Sequence, residues 1–158
     1  MDTVKYNKIC SDLLSNLDER QKAILSRRFA LGQNEKETLE FIGKDFGICR
    51  ERVRQIEKAA LKKVRKNSNK YKKVFTNFVN YLKKFGGIRR EESLLQDLGN
   101  DHEKELFFLL NVKEDIERKK ENNDFYSVWV LDQEKYKEAK ETVKQAIKYL
   151  KKNKDLEI

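Results

Sequence analysis

Apolar residues recur every three or four positions along most of the chain, which is the spacing of amphipathic helices. Two such stretches, 2–14 and 17–29, open the sequence. Asn16 or Asp18 is suited to cap the second stretch, and Gly32 is suited to end it, because glycine adopts the left-handed conformation that often follows a helix. The pattern therefore predicts two consecutive helices at the beginning of the chain.

Two further helices are predicted to meet at a tight turn. Thr38 begins the first, and a longer helix covers about 50–66. Gly47 stands between them, where the turn needs a residue that tolerates a positive φ. This order is that of a helix-turn-helix. The predicted inner face consists of Leu39, Ile42, Phe46, Ile48, Val53, Ile56, Ala60 and Val64.

The pattern changes after a short polar linker at 67–70. Helices are predicted over 71–85, about 91–98 and about 101–110, with glycines after the first and second. Two short segments, 116–119 and 125–131, then flank the polar residues 121–124, as in a β-hairpin. Three helices followed by a hairpin indicate a winged-helix-like module, in which Trp129 is expected to be a core residue.

A final helix is predicted over about 133–153. Its apolar stripe either packs on its own domain, which is the commoner outcome, or forms an intermolecular coiled-coil seam with a second copy or a protein partner. The stripe consists of Tyr136, Ala139, Val143, Ala146, Ile147 and Leu150. The expected fold is thus mainly α: a helix-turn-helix domain (1–66), a small winged-helix-like α+β domain (71–132) and a C-terminal helix (133–158).

The net charge of the chain indicates a class of partner. The chain has 158 residues, a net charge of +9 and a pI near 9.4, which makes a polyanion the first partner to consider. Residues 50–66 contain eight Lys and Arg against two Glu, so a net +6 lies on this one helix. Such a face can be merely solvated, but its place after a helix and a turn favours DNA binding.

Several classes of function lack the residues they need. Cys10 and Cys49 are far apart and His102 is the single histidine, so structural zinc, a disulfide framework and a catalytic Cys/His pair are not expected. There is no phosphate-cradling glycine loop and no nuclease-like carboxylate cluster. With no apolar run of membrane-spanning length, we expect a soluble, cytoplasmic protein that is not an enzyme and has no cofactor or metal.

The helix-turn-helix order suggests how DNA would be read. The second helix of such a motif presents its N-terminal side chains to base edges in the major groove. Arg50, Glu51 and Gln55 fall on its outer face near its start and are the candidate base readers. Arg52, Arg54 and Lys58 can neutralise phosphates, which sets affinity and salt dependence but not sequence preference.

The run RERVRQIE, Arg50 to Glu57, together with the residues up to Arg65 and the run TLEFIG from Thr38, closely resembles region 4 of sigma-70 family bacterial transcription initiation factors. The resemblance covers about residues 14 to 66. It implies recognition of a promoter −35 element by Arg50, Glu51 and Gln55. It also implies contacts with the DNA backbone by Arg20, Arg28, Thr38, Arg52 and Arg54, to which Lys58, Lys62 and Arg65 are added as basic residues of the same helix.

The resemblance also implies docking on the flap of the RNA polymerase β subunit. Phe29 and Leu31 are candidates for that contact, although both could equally be core residues. Cys49 stands where the family usually has a capping threonine, so the cap of the recognition helix is expected to be weaker or to be supplied by another group. Nothing resembles the family's region 2, which indicates a stand-alone regulator or a piece of a larger protein.

The second half resembles winged-helix modules, including the HARE-type helix-turn-helix, only weakly. Its third helix is acidic at its start and apolar later, which argues against insertion into a groove. Arg118, Lys119 and Lys120 of the predicted wing could reach a phosphate, but a structural or protein-contact role is favoured. The leading hypothesis is a sequence-specific regulator of transcription that binds double-stranded DNA. The alternative is a polymerase-associated accessory factor for which DNA contact is secondary.

Overall fold

A computed structural model describes residues 5–33 and 35–153. Residues 2–4 of the first predicted helix, Asn34 and the end of the predicted C-terminal segment lie outside these ranges. The elements of the first half are α1 (Tyr6–Leu14), α2 (Glu19–Phe29), α3 (Leu39–Phe46), α4 (Arg50–Asn67) and a 3-10 helix (Ser68–Tyr71). Those of the second half are α5 (Lys72–Lys84), β1 (Ile88–Arg90), α6 (Glu91–Gly99), α7 (Glu103–Val112), β2 (Glu117–Lys119), β3 (Val128–Val130) and α8 (Gln133–Lys152).

The helix boundaries of the first half follow from local capping. The Asp18 carboxylate accepts a hydrogen bond from the backbone N–H of Gln21 at 2.8 Å, and so caps α2 as predicted. The Thr38 hydroxyl caps α3 in the same way, accepting from the N–H of Phe41 at 3.1 Å. The residue that ends α2 in the left-handed conformation is Ala30, with φ of 56°, rather than the expected Gly32.

The second half has the predicted helices and hairpin, with one strand more. β3 lies in the centre of an antiparallel sheet of order β1-β3-β2, in which Val130 pairs with both Ile88 and Glu117. β1 was not predicted, because three residues after a glycine pair carry too little pattern to identify a strand. The hairpin strands are shorter than expected, and residues 120–127 connect them. The mainly helical fold with a small α+β part is thus confirmed.

One large hydrophobic core joins the two halves. Buried side chains of α1, α2 and α4 belong to the same cluster as those of α5, α6, α7 and β3. α7 lies at the centre of this arrangement and packs against α1, α2 and α4. The domain boundary predicted at 67–70 therefore remains a prediction, since the packing itself is continuous across it.

α8 is largely solvated. None of its residues is buried, and Tyr149 and Leu150 are 61% and 62% exposed. Near its start, the ammonium group of Lys119 lies 5.5 Å from the centre of the Tyr136 ring, which links the helix to β2. The predicted stripe is therefore only partly covered by the rest of the chain. No helix in residues 5–33 and 35–153 has both the length and the apolar character needed to cross a membrane.

Candidate nucleic-acid interface

A small separate core fixes the angle between α3 and α4. Ile24 of α2, Ile42 of α3 and Val53 of α4 are fully buried against one another. Four partly buried residues surround them, namely Leu39, Phe46, Ile48 and Ile56. Six of the eight residues predicted for the inner face thus lie in this core, and α2 completes it as a third helix. The other two, Ala60 and Val64, are buried in the large core instead.

Two glycines allow the close turn between α3 and α4. Gly47 has φ of +63°, the left-handed conformation that the sequence predicted for it. Gly43 is needed for a different reason: a Cβ there would lie 2.6 Å from the carbonyl oxygen of Ile48. An isolated glycine inside a helical pattern is the signal that could have identified this contact.

The start of α4 has no side-chain cap. Cys49 occupies the capping position, is exposed and makes no side-chain hydrogen bond to the helix, as its side chain predicted. Its carbonyl oxygen accepts from the N–H groups of Arg52 and Val53 at 3.0 and 3.2 Å. The first turn of α4 therefore faces solvent without a capping side chain over it.

The three candidate base readers are exposed on this first turn and the next. Each has a polar partner: Arg50 pairs with Glu40 of α3 at 2.8 Å, Glu51 accepts from Arg54 at 2.6 and 2.8 Å, and Gln55 accepts from Arg52 at 3.1 Å. The Arg54 guanidinium holds the pKa of the Glu51 carboxyl below its ordinary value. Because exposed ion pairs are weak, these side chains can exchange partners at little cost.

Some of the side chains predicted to contact the DNA backbone are exposed and could bind a phosphate. Lys58 and Lys62 are exposed and follow Glu51 and Gln55 along one face of α4. Arg20 is also exposed, with its guanidinium carbon 5.5 Å from the centre of the Phe46 ring. Exposed cations are thus present on α4 itself and on α2, which packs against it.

Arg28 and Arg65 have contacts inside the protein. Arg28 donates to the carbonyl oxygen of Glu37 at 2.5 Å and lies 3.4 Å from the carboxylate of Glu57. Arg65 donates to the carbonyl oxygens of Asn111 and Val112, both at 3.1 Å. These carbonyls end α7, where a cation is favourable to the helix dipole. Both side chains thus connect parts of the protein: Arg28 connects α2 to the segment before α3, and Arg65 connects α4 to α7.

An ion cluster that the sequence did not predict orders the segment before α3. Arg27 of α2 pairs with both Glu37 and Asp45, and its guanidinium lowers the pKa of the Glu37 carboxyl. Gln33 adds a hydrogen bond to the carbonyl oxygen of Arg27 at 3.2 Å. The cluster joins α2, α3 and the connection between them, and so supports the position of the helix-turn-helix.

The apolar candidates for a polymerase contact lie within the protein. Phe29 is 6% exposed, and its ring packs edge-to-face on that of Phe108 of α7 with 5.1 Å between centroids. Leu31 is half-buried against the same core. Among residues 5–33 and 35–66, the exposed aromatic side chain is that of Phe41 of α3, which is 56% exposed beside Arg27.

Two of the three wing cations that could reach a phosphate have partners within the protein, and the third, Lys120, is exposed. Arg118 pairs with Glu91 of α6, and Lys119 pairs with Glu117. α7 follows α6, where a winged helix has its third helix, and five of its ten residues are buried. That α7 does not insert into a groove stays a prediction. Trp129 is fully buried in the core, as predicted, with its ring 5.7 Å from that of Phe107.

The helix-turn-helix half is similar to known proteins. Residues 13–66 match the family model for sigma-70, region 4. The chain is 46% identical over 68 residues to the RNA polymerase sigma factor RpoD of Helicobacter pylori, a match that covers 42% of this chain and 10% of that protein.

Two further relatives match over the same part. They are the RNA polymerase sigma factors SigA of a Bacillus species, 50% identical over 54 residues, and RpoS of Coxiella burnetii, 52% identical over 52 residues. These matches cover 34% and 33% of this chain but 14% and 15% of the relatives. The chain thus matches only about a tenth to a seventh of each relative's length. The resemblance of residues 14–66 to sigma region 4 is confirmed.

Proposed function

We propose that this protein is a sequence-specific regulator of transcription that reads a promoter −35-like element through α4. The carrying observation is the outward face of α4, where Arg50, Glu51 and Gln55 project from a helix that the small core and the glycine turn hold rigidly. The match of residues 13–66 to sigma-70 region 4 supports double-stranded DNA as the partner and a transcriptional role.

Base reading follows from the donors and acceptors of these side chains. A guanidinium can donate to O6 and N7 of guanine, an amide can pair with adenine, and a carboxylate can accept from the amino group of cytosine. Arg50, Gln55 and Glu51 provide these three groups. On binding, each would exchange its present partner for a base edge.

The phosphate contacts would come from exposed groups around the readers. Arg20, Thr38, Arg52, Arg54, Lys58 and Lys62 form this proposed set. The internal hydrogen bonds of Arg28 and Arg65 favour a stabilising role for these two over the backbone contacts first predicted for them. Because phosphates are the same in every sequence, loss of a clamp would weaken binding to all sequences alike.

Selection of binding sites from a randomised duplex library, at physiological salt, tests the proposal. Wild type should enrich a motif of a few base pairs that resembles a −35 element. The double variant Arg50→Ala/Gln55→Ala should lose that motif yet retain general DNA affinity. A well-folded wild type that enriches no motif would overturn the proposal.

An RNA polymerase-associated accessory or partial sigma factor is the alternative. The observation in its favour is that the matched relatives are named RNA polymerase sigma factors. Docking on the β flap through Phe29 would require α7 to move, because Phe108 covers that ring. Capture of polymerase by the purified protein in high salt and nuclease, together with no motif in the selection, would favour this alternative.

A homodimer or a protein partner through residues 133–153 is a further proposal. It is supported by the partial exposure of the apolar stripe of α8, including Leu150. Sedimentation equilibrium of wild type and of Leu150→Glu would test the dimer. If wild type self-associates and Leu150→Glu does not, the dimer forms through the apolar stripe of α8. Self-association of both proteins, or of neither, would contradict it.

A further inference from the structure

The positive charge of the chain is concentrated in one continuous segment. From Lys58 to Arg90 there is no Asp or Glu, while twelve Lys and Arg are present. The whole chain has 36 Lys and Arg against 27 Asp and Glu, so without these twelve the remainder has 24 against 27 and a net charge of −3. The excess of positive charge therefore belongs to this segment, which begins on α4 and extends beyond residue 66.

Five cations of the segment have internal partners. Lys63 donates to Gln21, and Arg65 to the end of α7. The other three pair with acidic side chains: Lys70 with Asp12, Arg89 with Asp97, and Arg90 with Glu92. Within the described part of the chain, no hydrogen bond, ion pair or ring contact is found for seven exposed cations: Lys58, Lys62, Lys66, Lys72, Lys73, Lys83 and Lys84.

These seven residues lie on two α-helices that are consecutive in the chain. Three lie on α4, four on α5, and the 3-10 helix between them contacts both helices. The buried side chains of α5 are Phe75, Phe78 and Leu82, so Lys73 faces the opposite side of that helix. We define Lys72, Lys73, Lys83 and Lys84 as the α5 cation group.

The first turn of α5 has charges that folding does not favour. It contains no acidic residue and begins with Lys72 and Lys73. The N-terminus of a helix is the positive end of its dipole, so cations there are unfavourable to stability. Neither lysine has an acidic partner in this turn, so both remain available to an external anion.

We propose that the α5 cation group is a second clamp for the DNA backbone, outside the segment that resembles sigma region 4. It would contact phosphates flanking the element read by α4. This inference rests on the proposed DNA-binding function for the identity of the polyanion. α5 has 13 residues and a length of about 20 Å, which matches the rise of about six base pairs.

Salt titration of DNA binding tests the clamp, with the full chain and a random-sequence duplex of 30 base pairs. Lys72→Gln/Lys73→Gln should reduce the magnitude of the slope of log affinity against log salt by about 1–2 and weaken binding about 5–30-fold near physiological salt. The matched control is Lys144→Gln/Lys148→Gln, which removes the same charge from exposed positions of α8.

The melting temperature separates this effect from damage to the fold. Removal of cations at the start of α5 should leave the melting temperature unchanged or slightly raised while DNA affinity falls. Equal loss of affinity in the α5 variant and the α8 control would overturn the proposal, because general attraction would then explain both. Tighter binding of an RNA duplex of the same length would also overturn it.

Site selection with the same proteins distinguishes failure of the clamp from failure of the proposed function. If wild type selects a motif and the α5 variant binds like the control, the clamp is wrong and the function stands. If wild type selects no motif but the α5 variant shows the reduced salt slope and the control does not, the clamp stands and the sequence-specific function fails.

Discussion

The rings of Phe29 and Phe108 meet edge-to-face at an interplanar angle of 70° with 5.1 Å between their centroids. Phe29 ends the helix before the helix-turn-helix, and Phe108 lies in the middle of α7. Both belong to the large core that joins the two halves. The packing of the helix-turn-helix half therefore depends on residues that lie outside the segment resembling sigma region 4.

Phe108→Ala should destabilise the whole chain. Loss of a fully buried phenylalanine costs about 3–5 kcal/mol, and the shared core should transmit this loss to both halves. We expect one cooperative urea transition, shifted to lower urea, by both circular dichroism and Trp129 fluorescence. Phe41→Ala, at an exposed position, should change the free energy of unfolding by about 1 kcal/mol or less. Two separate transitions would instead support independent domains at 1–66 and 71–132.

Gly43→Ala should disturb the helix-turn-helix. The added Cβ would lie 2.6 Å from the carbonyl oxygen of Ile48, and overpacking of this kind costs about 1–3 kcal/mol. Because α3 must shift relative to α4, sequence-specific DNA binding should fall more than overall stability does. Lys44→Ala, at the exposed neighbouring position, is the control for a change on the same helix. Equal motif affinity in the two variants would contradict the proposed role of this close approach.

The readers and clamps of α4 should separate in their effects. Arg50→Ala and Gln55→Ala should each cost about 1–3 kcal/mol at one base position and relax specificity there. Lys58→Ala and Lys62→Ala should weaken binding to all sequences and reduce the magnitude of the salt slope by about 1 each. Competition titrations with single-base variants of the selected motif measure both effects. Identical behaviour of all four variants would show that this assignment of roles is wrong.

Arg65→Ala should act on stability rather than on DNA affinity. The change removes two charge-assisted hydrogen bonds to the end of α7, a loss of about 1.5–3 kcal/mol for such contacts. The salt slope of DNA binding should remain that of wild type. Lys66→Ala, the exposed neighbour, should show the reverse pattern. A reduced salt slope at unchanged stability would contradict this and would support the contact with the DNA backbone that the sequence first predicted for Arg65.

The Glu37 carboxyl should make stability depend on pH in the acid range. Hydrogen bonds from Arg27 hold its pKa below the ordinary value near 4.5, so its stabilising effect is complete above that pH. The effect should be lost as the pH falls through the lowered pKa of the folded state, because the unfolded chain takes up the proton first. Urea titrations at pH 7, 5 and 3 measure the free energy of unfolding. This free energy should fall less between pH 7 and pH 3 in Glu37→Gln than in wild type. Equal losses in both proteins would contradict this contribution.

The sequence by itself determined the elements whose causes are local. Helical periodicity, the capping groups of Asp18 and Thr38 and the turn at Gly47 depend on residues a few positions apart, so α2, α3 and α4 could be predicted closely. The candidate readers could be placed on one face of α4 for the same reason, and the run from Arg50 to Glu57 indicated the family of residues 13–66.

Only the tertiary structure decided which of these side chains are free. Arg65 and Lys62 belong to the same basic helix, yet Arg65 caps α7 and Lys62 faces solvent. The sequence could not show this, because the partners of Arg65 lie more than forty residues away along the chain. The burial of Phe29 beneath Phe108 and the close approach at Gly43 are likewise contacts between elements. Periodicity defines the face of a helix, but the packing of other helices decides what covers that face.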